Sequence, residues 1–146
     1  MDDRRTEIIV ANVEFAADSI ARLREKQGVS FAEYRDDPDT RDIVERQFQK
    51  LIEACLDIAR TVLRGHEGSV PETNADCMRE LGNRGILSES LAAEMASAAG
   101  FRNVLTHQYG RQLNHQTVHD ALHDLGRFEG FLRSIRDHLD AVGALD

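Results

Sequence analysis

The segment from Arg102 to Tyr109 is the part of the sequence whose residue types and spacing best suit chemistry. It reads Arg-Asn-Val-Leu-Thr-His-Gln-Tyr, and so places a permanent cation, an amide, a titratable imidazole and a phenol within eight residues. Arginine binds a phosphate through a forked pair of hydrogen bonds, and histidine titrates near neutral pH. Arg102 and His107 therefore suit phosphodiester chemistry. The alternative is a capped helix end with a satisfied histidine and a half-buried tyrosine.

The spacing creates a geometric problem if this segment is helical. Asn103 and His107 are four residues apart and share a face. Arg102 and His107 are five apart, which separates them by about 140° around the helix axis. One straight helix does not direct both side chains at one atom. A kink near Gly100, or a second copy of the motif across a two-fold axis, would bring them together.

The motif Arg102-x4-His107-x-Tyr109 resembles the R-x4-6-H-x-Y signature of HEPN-domain proteins, which are helical ribonucleases. The context is similar to their HepT-like branch, the toxin half of pairs with a minimal nucleotidyltransferase. The likeness extends to the segments 48–59, 81–87, 100–107 and 114–135, and so covers about residues 8 to 138. The negative net charge departs mildly from the positive charge that is usual for an RNA-binding protein.

The resemblance implies a homodimeric ribonuclease that works without a metal or another cofactor. The 2′-hydroxyl of the RNA would attack the neighbouring phosphorus, with His107 as general base or acid and Arg102 stabilising the phosphorane oxygens. Asn103 would orient His107 or the phosphate. Two protomers would bring two copies of the motif into one cleft. RNA is the expected substrate, and neither DNA nor a membrane is an expected partner.

The resemblance also gives Tyr109 a regulatory role. In this family a nucleotidyltransferase antitoxin adenylylates the matching tyrosine from Mg-ATP. The attached AMP would bring negative charge and bulk into the cleft and keep the RNA backbone out. The alternative function is a non-catalytic helical module that binds the nucleotidyltransferase and serves as its substrate. The presence of both Arg102 and His107 favours the enzyme, because a pure substrate needs only the tyrosine.

Arginines outside the motif form a second candidate for RNA binding. Arg79, Arg84 and Arg111 could join Arg102 in a local basic patch, which a protein of net charge -8 needs to hold phosphates. Interspersed glutamates make ordinary ion pairing on the surface an equal alternative. On the second long helix, Glu53 and Asp57 are predicted to form a surface network with Lys50 or Arg60, or else to lie at the edge of the cleft.

A third candidate is the series His115, His119 and His123, spaced four residues apart along one helix face. A His-x3-His pair can bind a transition metal. No Glu completes an HExxH motif and no Cys is near in sequence, so a solvated polar stripe is the favoured interpretation. The stripe could also flank the RNA cleft, because its helix follows the motif directly.

The elements that must position these residues are predicted to be helices, because apolar residues recur every three or four positions and period-two alternation is absent. The predicted elements are a helix over 3–27, a turn capped by Ser30 and Glu33, and helices over 38–64, after Thr73, from Ser88 to about Gly110 and from Asn114 to about Ala141. The later half of the fourth long helix is expected to be irregular at Gly100. A seam from Val118 to Val142 predicts close packing of the last helix on another long one. The predicted fold class is all-α, an up-and-down bundle of about five helices in one domain over residues 1–146.

Composition sets the broad class of the protein. The chain has 146 residues, of which 41% are hydrophobic and 30% charged, as in one ordinary globular domain. We expect no signal peptide and no membrane span. Cys55 and Cys77 lie singly on apolar helix patterns, which favours buried thiols and a reducing cytoplasm. Phenylalanines are expected in the core or in dimer contacts (Phe48, Phe101, Phe128, Phe131). The acidic balance excludes a globally basic nucleic-acid coat.

Overall fold

A computed structural model describes residues 3–65, 68–107 and 114–143, with the backbone alone at positions 106 and 107. In these stretches the chain forms seven helices and no strand: α1 (Asp3–Arg24), α2 (Phe31–Asp36), α3 (Pro38–Arg64), α4 (Asn74–Asn83), α5 (Glu89–His107), α6 (His115–Ala121) and α7 (Gly126–Ala141). The all-α prediction is confirmed, whereas the predicted count of about five helices is too low. No helix of the described part combines the length and the apolar character that crossing a bilayer requires.

The helix starts lie where the sequence marks them. The Ser30 hydroxyl accepts a hydrogen bond from the Glu33 amide, and the Glu33 carboxylate accepts one from the Ser30 amide. Asp37 caps α3, and Thr73 accepts from an amide in the first turn of α4. These side chains satisfy N–H groups that the first turn of a helix leaves without backbone partners. The predicted capping box and both predicted caps are therefore confirmed.

The predicted single helix from Asn114 to Ala141 is wrong, because a turn over residues 122–125 divides it into α6 and α7. Three successive amides, at 122 to 124, bond to carbonyls three residues back, which tightens the chain and ends α6. Gln27 then donates its side-chain N–H to the Leu122 carbonyl at 2.7 Å. Because Leu122 and Leu125 are both buried, the apolar spacing continues across the break and hides it from the sequence pattern.

Every helix contributes to one hydrophobic cluster, and α3 lies at its centre, packed against α1, α2, α4, α5 and α7. The seam of the last two helices belongs to this cluster (Val118, Leu125, Phe128, Leu132, Ile135, Leu139). The seam is therefore used by the chain's own core and gives no argument for a dimer. Both cysteines are free and buried, as predicted. Phe101 packs its ring edge against Phe48, with 5.4 Å between the centroids.

Candidate functional site

The motif helix α5 is continuous from Glu89 to His107, so the expected irregularity at Gly100 is wrong. A glycine inside a helix costs about 1 kcal/mol relative to alanine but does not remove a backbone hydrogen bond. Packing of α5 against α3, α4 and α7 supports the helix through this point. Arg102 and His107 therefore lie about 140° apart on one helix. A continuous straight helix therefore does not direct both side chains at one atom.

Arg102 is held by an acidic residue of the neighbouring helix. Its Nη2 donates to Oε1 of Glu53 at 2.9 Å, and the two side chains are 27% and 50% exposed. The predicted pairing of Glu53 with Lys50 or Arg60 is wrong, because the partner comes from the motif itself. The guanidinium is thus oriented at the surface, where a phosphate can compete with the carboxylate for its forked donors.

A second polar contact from α3 fixes the end of α5. Gln49 lies one turn before Glu53 and donates its side-chain N–H to the Leu105 carbonyl at 3.2 Å. The last four carbonyls of a helix have no partner within it, so this bond satisfies one of them. Sequence reasoning missed Gln49. Polar residues are common along α3, so no signal in the sequence singled out Gln49.

Asn103, the third motif residue, is exposed and lines a groove between α5 and the start of α4. The groove has a volume of about 380 Å³, and its lining includes Arg60, Glu72, Thr73, Asn74 and Gly100. Arg60 donates a hydrogen bond to the side-chain oxygen of Asn74. Arg60 was predicted only as an ion-pair partner, because its closeness to the motif depends on how α3, α4 and α5 pack.

Two of the other candidate arginines form local ion pairs. Arg79 binds Asp76 at 2.8 Å, and Arg84 lies 3.6 Å from the carboxylate of Glu80. Arg79 lines a groove between α4 and α5, whereas Arg84 lines a different one beside α7. Neither groove includes Arg102. The remaining two predicted residues, Arg111 and Tyr109, lie outside the described residues, as does the side chain of His107.

The histidine series, which begins on α6 and ends in the turn after it, is packed rather than solvated at its centre. His119 is 9% exposed, and its Nε2 lies 2.8 Å from the Val29 carbonyl. Its ring contacts Phe31 and Tyr34 of α2, with centroid separations of 5.7 and 5.6 Å. The interpretation of a solvated stripe is therefore wrong for His119. Burial, followed by the charge of Arg41, lowers the pKa of His115. Within the described ranges, no group of three or more His, Cys, Asp or Glu side chains is arranged to bind a metal ion.

Comparison with known proteins gives consistent matches. A family model described as ribonuclease HepT-like matches residues 16–135. The mRNA nuclease HepT of Shewanella oneidensis is 27% identical over 131 residues, 89% of this chain and 97% of the relative. The tRNA nuclease HepT of Aphanizomenon flos-aquae is 26% identical over 132 residues, 90% of each chain.

Solved structures show the same arrangement of helices. The tri-AMPylated HEPN toxin of Shewanella oneidensis, in complex with MNT antitoxin, matches with a TM-score of 0.81 and 25% identity, over 94% of this chain and 99% of that one. A toxin–antitoxin structure with AMP-PNP matches with a TM-score of 0.82 and 25% identity, over 90% of this chain and 98% of that one. YutE of Bacillus subtilis, a cytosolic protein of unknown function, matches at 18% identity with a TM-score of 0.80, over 93% and 91% of the two chains. This last match shows a shared fold alone.

Proposed function

The chain belongs to the HepT-like ribonuclease family, and on that premise we propose that it is the ribonuclease toxin of a toxin–antitoxin pair. The curated relatives are nucleases, and similar solved structures contain an MNT antitoxin, which support the proposal. The observation that carries it is the motif helix α5, whose Arg102 is oriented at the surface by Glu53. The proposal places the protein in the cytoplasm, in keeping with its two free, buried cysteines.

The reaction needs an internal nucleophile, a proton shuttle and a phosphate clamp, and no metal ion. The 2′-oxygen of the RNA forms a bond to the adjacent phosphorus while the bond from phosphorus to the 5′-oxygen breaks. His107 serves as general base or acid in these proton transfers, and Arg102 stabilises the charge on the phosphorane oxygens. Asn103 orients His107 or the phosphate. The products are a 2′,3′-cyclic phosphate and a 5′-hydroxyl end.

The active form in this proposal is a homodimer that pairs two copies of α5. The angular separation of Arg102 and His107 on one helix supports the pairing, because a second motif would bring the two side chains together. The cleft between the two copies would then hold Arg102 of one protomer near His107 of the other.

Regulation follows from the position of Tyr109, two residues beyond the end of α5. The similar toxin from Shewanella oneidensis is tri-AMPylated in its complex with MNT antitoxin. We assign the corresponding modification here to Tyr109, with a nucleotidyltransferase antitoxin as the partner. Each added AMP carries about one negative charge, so it competes with the RNA phosphate for Arg102.

The test is cleavage of RNA in the presence of EDTA by wild type and by His107→Ala. General acid–base catalysis contributes about 10²–10⁴-fold, so we expect His107→Ala to lose most of the rate. Arg102→Ala is expected to be similarly impaired, and Arg102→Lys to recover only part of the rate because an ammonium cannot form the fork. Mapping of the 3′ ends should show cyclic phosphates. A fully active His107→Ala variant would place the chemistry elsewhere, and inactivity of every form would favour the non-catalytic module.

A further inference from the structure

Arg60 of α3 differs from the other arginines near the motif in the charge of its partners. It donates to the neutral side-chain oxygen of Asn74 and lies close enough to Cys77 for its charge to act on the thiol. Burial raises the pKa of that thiol, and Arg60 offsets part of the rise. Within the part of the chain that the structure describes, Arg60 forms no ion pair. The arginines at 79, 84 and 102 are each paired with a carboxylate. Within the described residues, no carboxylate therefore lies at ion-pair distance from the Arg60 guanidinium.

This cation lines the groove that Asn103 also lines. The volume of about 380 Å³ falls in the range of pockets that bind small ligands. An arginine fork suits a phosphate, and the Asn103 amide offers both donors and an acceptor to a base or ribose edge. Glu72 is exposed among the lining residues, where its carboxylate can accept from an exocyclic amine of a base. The groove thus offers complementary groups for one nucleotide.

We propose that this groove is a nucleotide subsite of the RNA-binding surface, in which Arg60 binds a phosphate adjacent to the scissile one. The inference rests on the proposed ribonuclease function, because Asn103 belongs to both the groove and the motif. Asn103 and Arg102 are consecutive, so they lie about 1.5 Å apart along the helix axis and the groove opens beside the motif. A single strand held by its phosphates needs more than one cation along its path. Arg60 supplies the second one.

The first experiment measures binding of a 2′-O-methyl RNA oligonucleotide, which lacks the attacking hydroxyl, to unmodified full-length protein over a range of salt concentrations. Loss of one phosphate contact on a single strand reduces the slope of log affinity against log salt by about 0.7. We expect this change in Arg60→Gln, together with about a tenfold loss of affinity at low salt. The matched control is Arg22→Gln on α1, an exposed arginine paired with Asp18, which should keep the wild-type slope.

A second variant separates the charge of Arg60 from its structural contacts. Asn74→Asp is isosteric and keeps the acceptor for Arg60, but it converts the neutral partner into a carboxylate. It lies in the first turn of α4, where an acidic residue stabilises the helix, so the variant should fold even if Arg60→Gln does not. We expect the same fall in slope and affinity as for Arg60→Gln, with no fall in melting temperature. Asn12→Asp on α1 is the control with the same change in net charge.

The possible outcomes test the nucleotide subsite separately from the proposed ribonuclease function. If Asn74→Asp and a folded Arg60→Gln variant both keep the wild-type slope of log affinity against log salt, the subsite is overturned. Cleavage of RNA by the wild type would still support the ribonuclease proposal. Absence of both RNA binding and cleavage in wild type would overturn both proposals. Because the protein is purified without a nucleotidyltransferase, AMP groups attached to the toxin cannot occupy the groove in its place.

Discussion

At the scale of single residues, the ion pair between Glu53 and Arg102 determines how the motif meets a phosphate. The carboxylate accepts from the same guanidinium that is proposed to clamp the phosphorane, so substrate and Glu53 compete for it. Glu53 also holds the guanidinium in one orientation before substrate arrives. The residue therefore has two opposed effects, one on affinity and one on positioning.

Replacement of Glu53 by glutamine should separate these effects. The amide oxygen still accepts from Arg102, but the negative charge that opposes a phosphate is gone. An exposed ion pair of this kind contributes at most about 1 kcal/mol to the free energy of unfolding, so we expect stability to change little. Because the phosphate no longer competes with an ion pair of that strength, RNA affinity should rise by up to about fivefold. Binding of 2′-O-methyl RNA and the melting temperature are the measurements. Weaker binding by Glu53→Gln would show that orientation of Arg102 outweighs the competition.

Tyr109 permits a second test at this scale. Tyr109→Phe removes the oxygen that would receive AMP and keeps the aromatic ring. We expect the variant to cut RNA at nearly the wild-type rate but to resist inactivation by the nucleotidyltransferase with Mg-ATP. Intact-mass spectrometry should show added AMP on wild type and none on Tyr109→Phe. Modification at another residue, or modified wild type that still cuts at full rate, would contradict this account of regulation.

At the scale of helices, α4 and α5 approach each other closely at Gly82. A Cβ built there would lie 2.6 Å from the Cβ of Ala92, which is buried on α5. Because both positions belong to helix backbones, the helices would have to move apart. This contact sets how closely α4 packs against α5, the helix that carries the motif.

Gly82→Ala is therefore expected to destabilise the protein although alanine is the better helix former. Overpacking costs about 1–3 kcal/mol, whereas the gain in helix propensity is about 1 kcal/mol. The matched control is Gly126→Ala in the first turn of α7, where a Cβ meets no atom within 4 Å. Thermal denaturation should give a lower melting temperature for Gly82→Ala and an unchanged or higher one for Gly126→Ala. An equal rise in melting temperature for Gly82→Ala and Gly126→Ala would contradict the close approach of α4 and α5.

The helices show where sequence reasoning succeeds and where it does not. Starts at Ser30, Asp37 and Thr73 were predictable because a cap is a local interaction between residues close in sequence. The break at 122–125 was not predictable, because its apolar residues keep the spacing of a continuous helix. Gln27, which hydrogen-bonds the Leu122 carbonyl there, is also distant in sequence. The motif was recognisable because its residues and their spacing resemble the signature of a known family. Its contacts with Glu53 and Gln49 were not, because they depend on the packing of α3 against α5.

At the scale of the whole molecule, the proposed homodimer rests on the geometry of α5 and no longer on the seam of α6 and α7. A composite cleft makes a distinctive prediction, because each of its two sites takes Arg102 from one protomer and His107 from the other. Arg102→Ala and His107→Ala proteins should each be inactive alone. Mixed and allowed to exchange subunits, they form heterodimers in which one of the two sites is intact.

We expect such a mixture to recover about a quarter of the wild-type activity, because half of the randomly paired dimers are mixed and each has one intact site. Ribonuclease assays before and after subunit exchange measure the recovery. Light scattering at micromolar concentration should report a dimer for both variants. No recovery after demonstrated exchange, or a monomeric protein, would show that each chain acts with its own two residues.

The break between α6 and α7 has a consequence for local unfolding. Helices of six and seven residues such as α2 and α6 are not stable in isolation, and they pack against each other. Because the turn at 122–125 disconnects α6 from α7, this pair can open while α7 stays folded. We expect amide hydrogens of α2 and α6 to exchange together, well before those of α3 and α7.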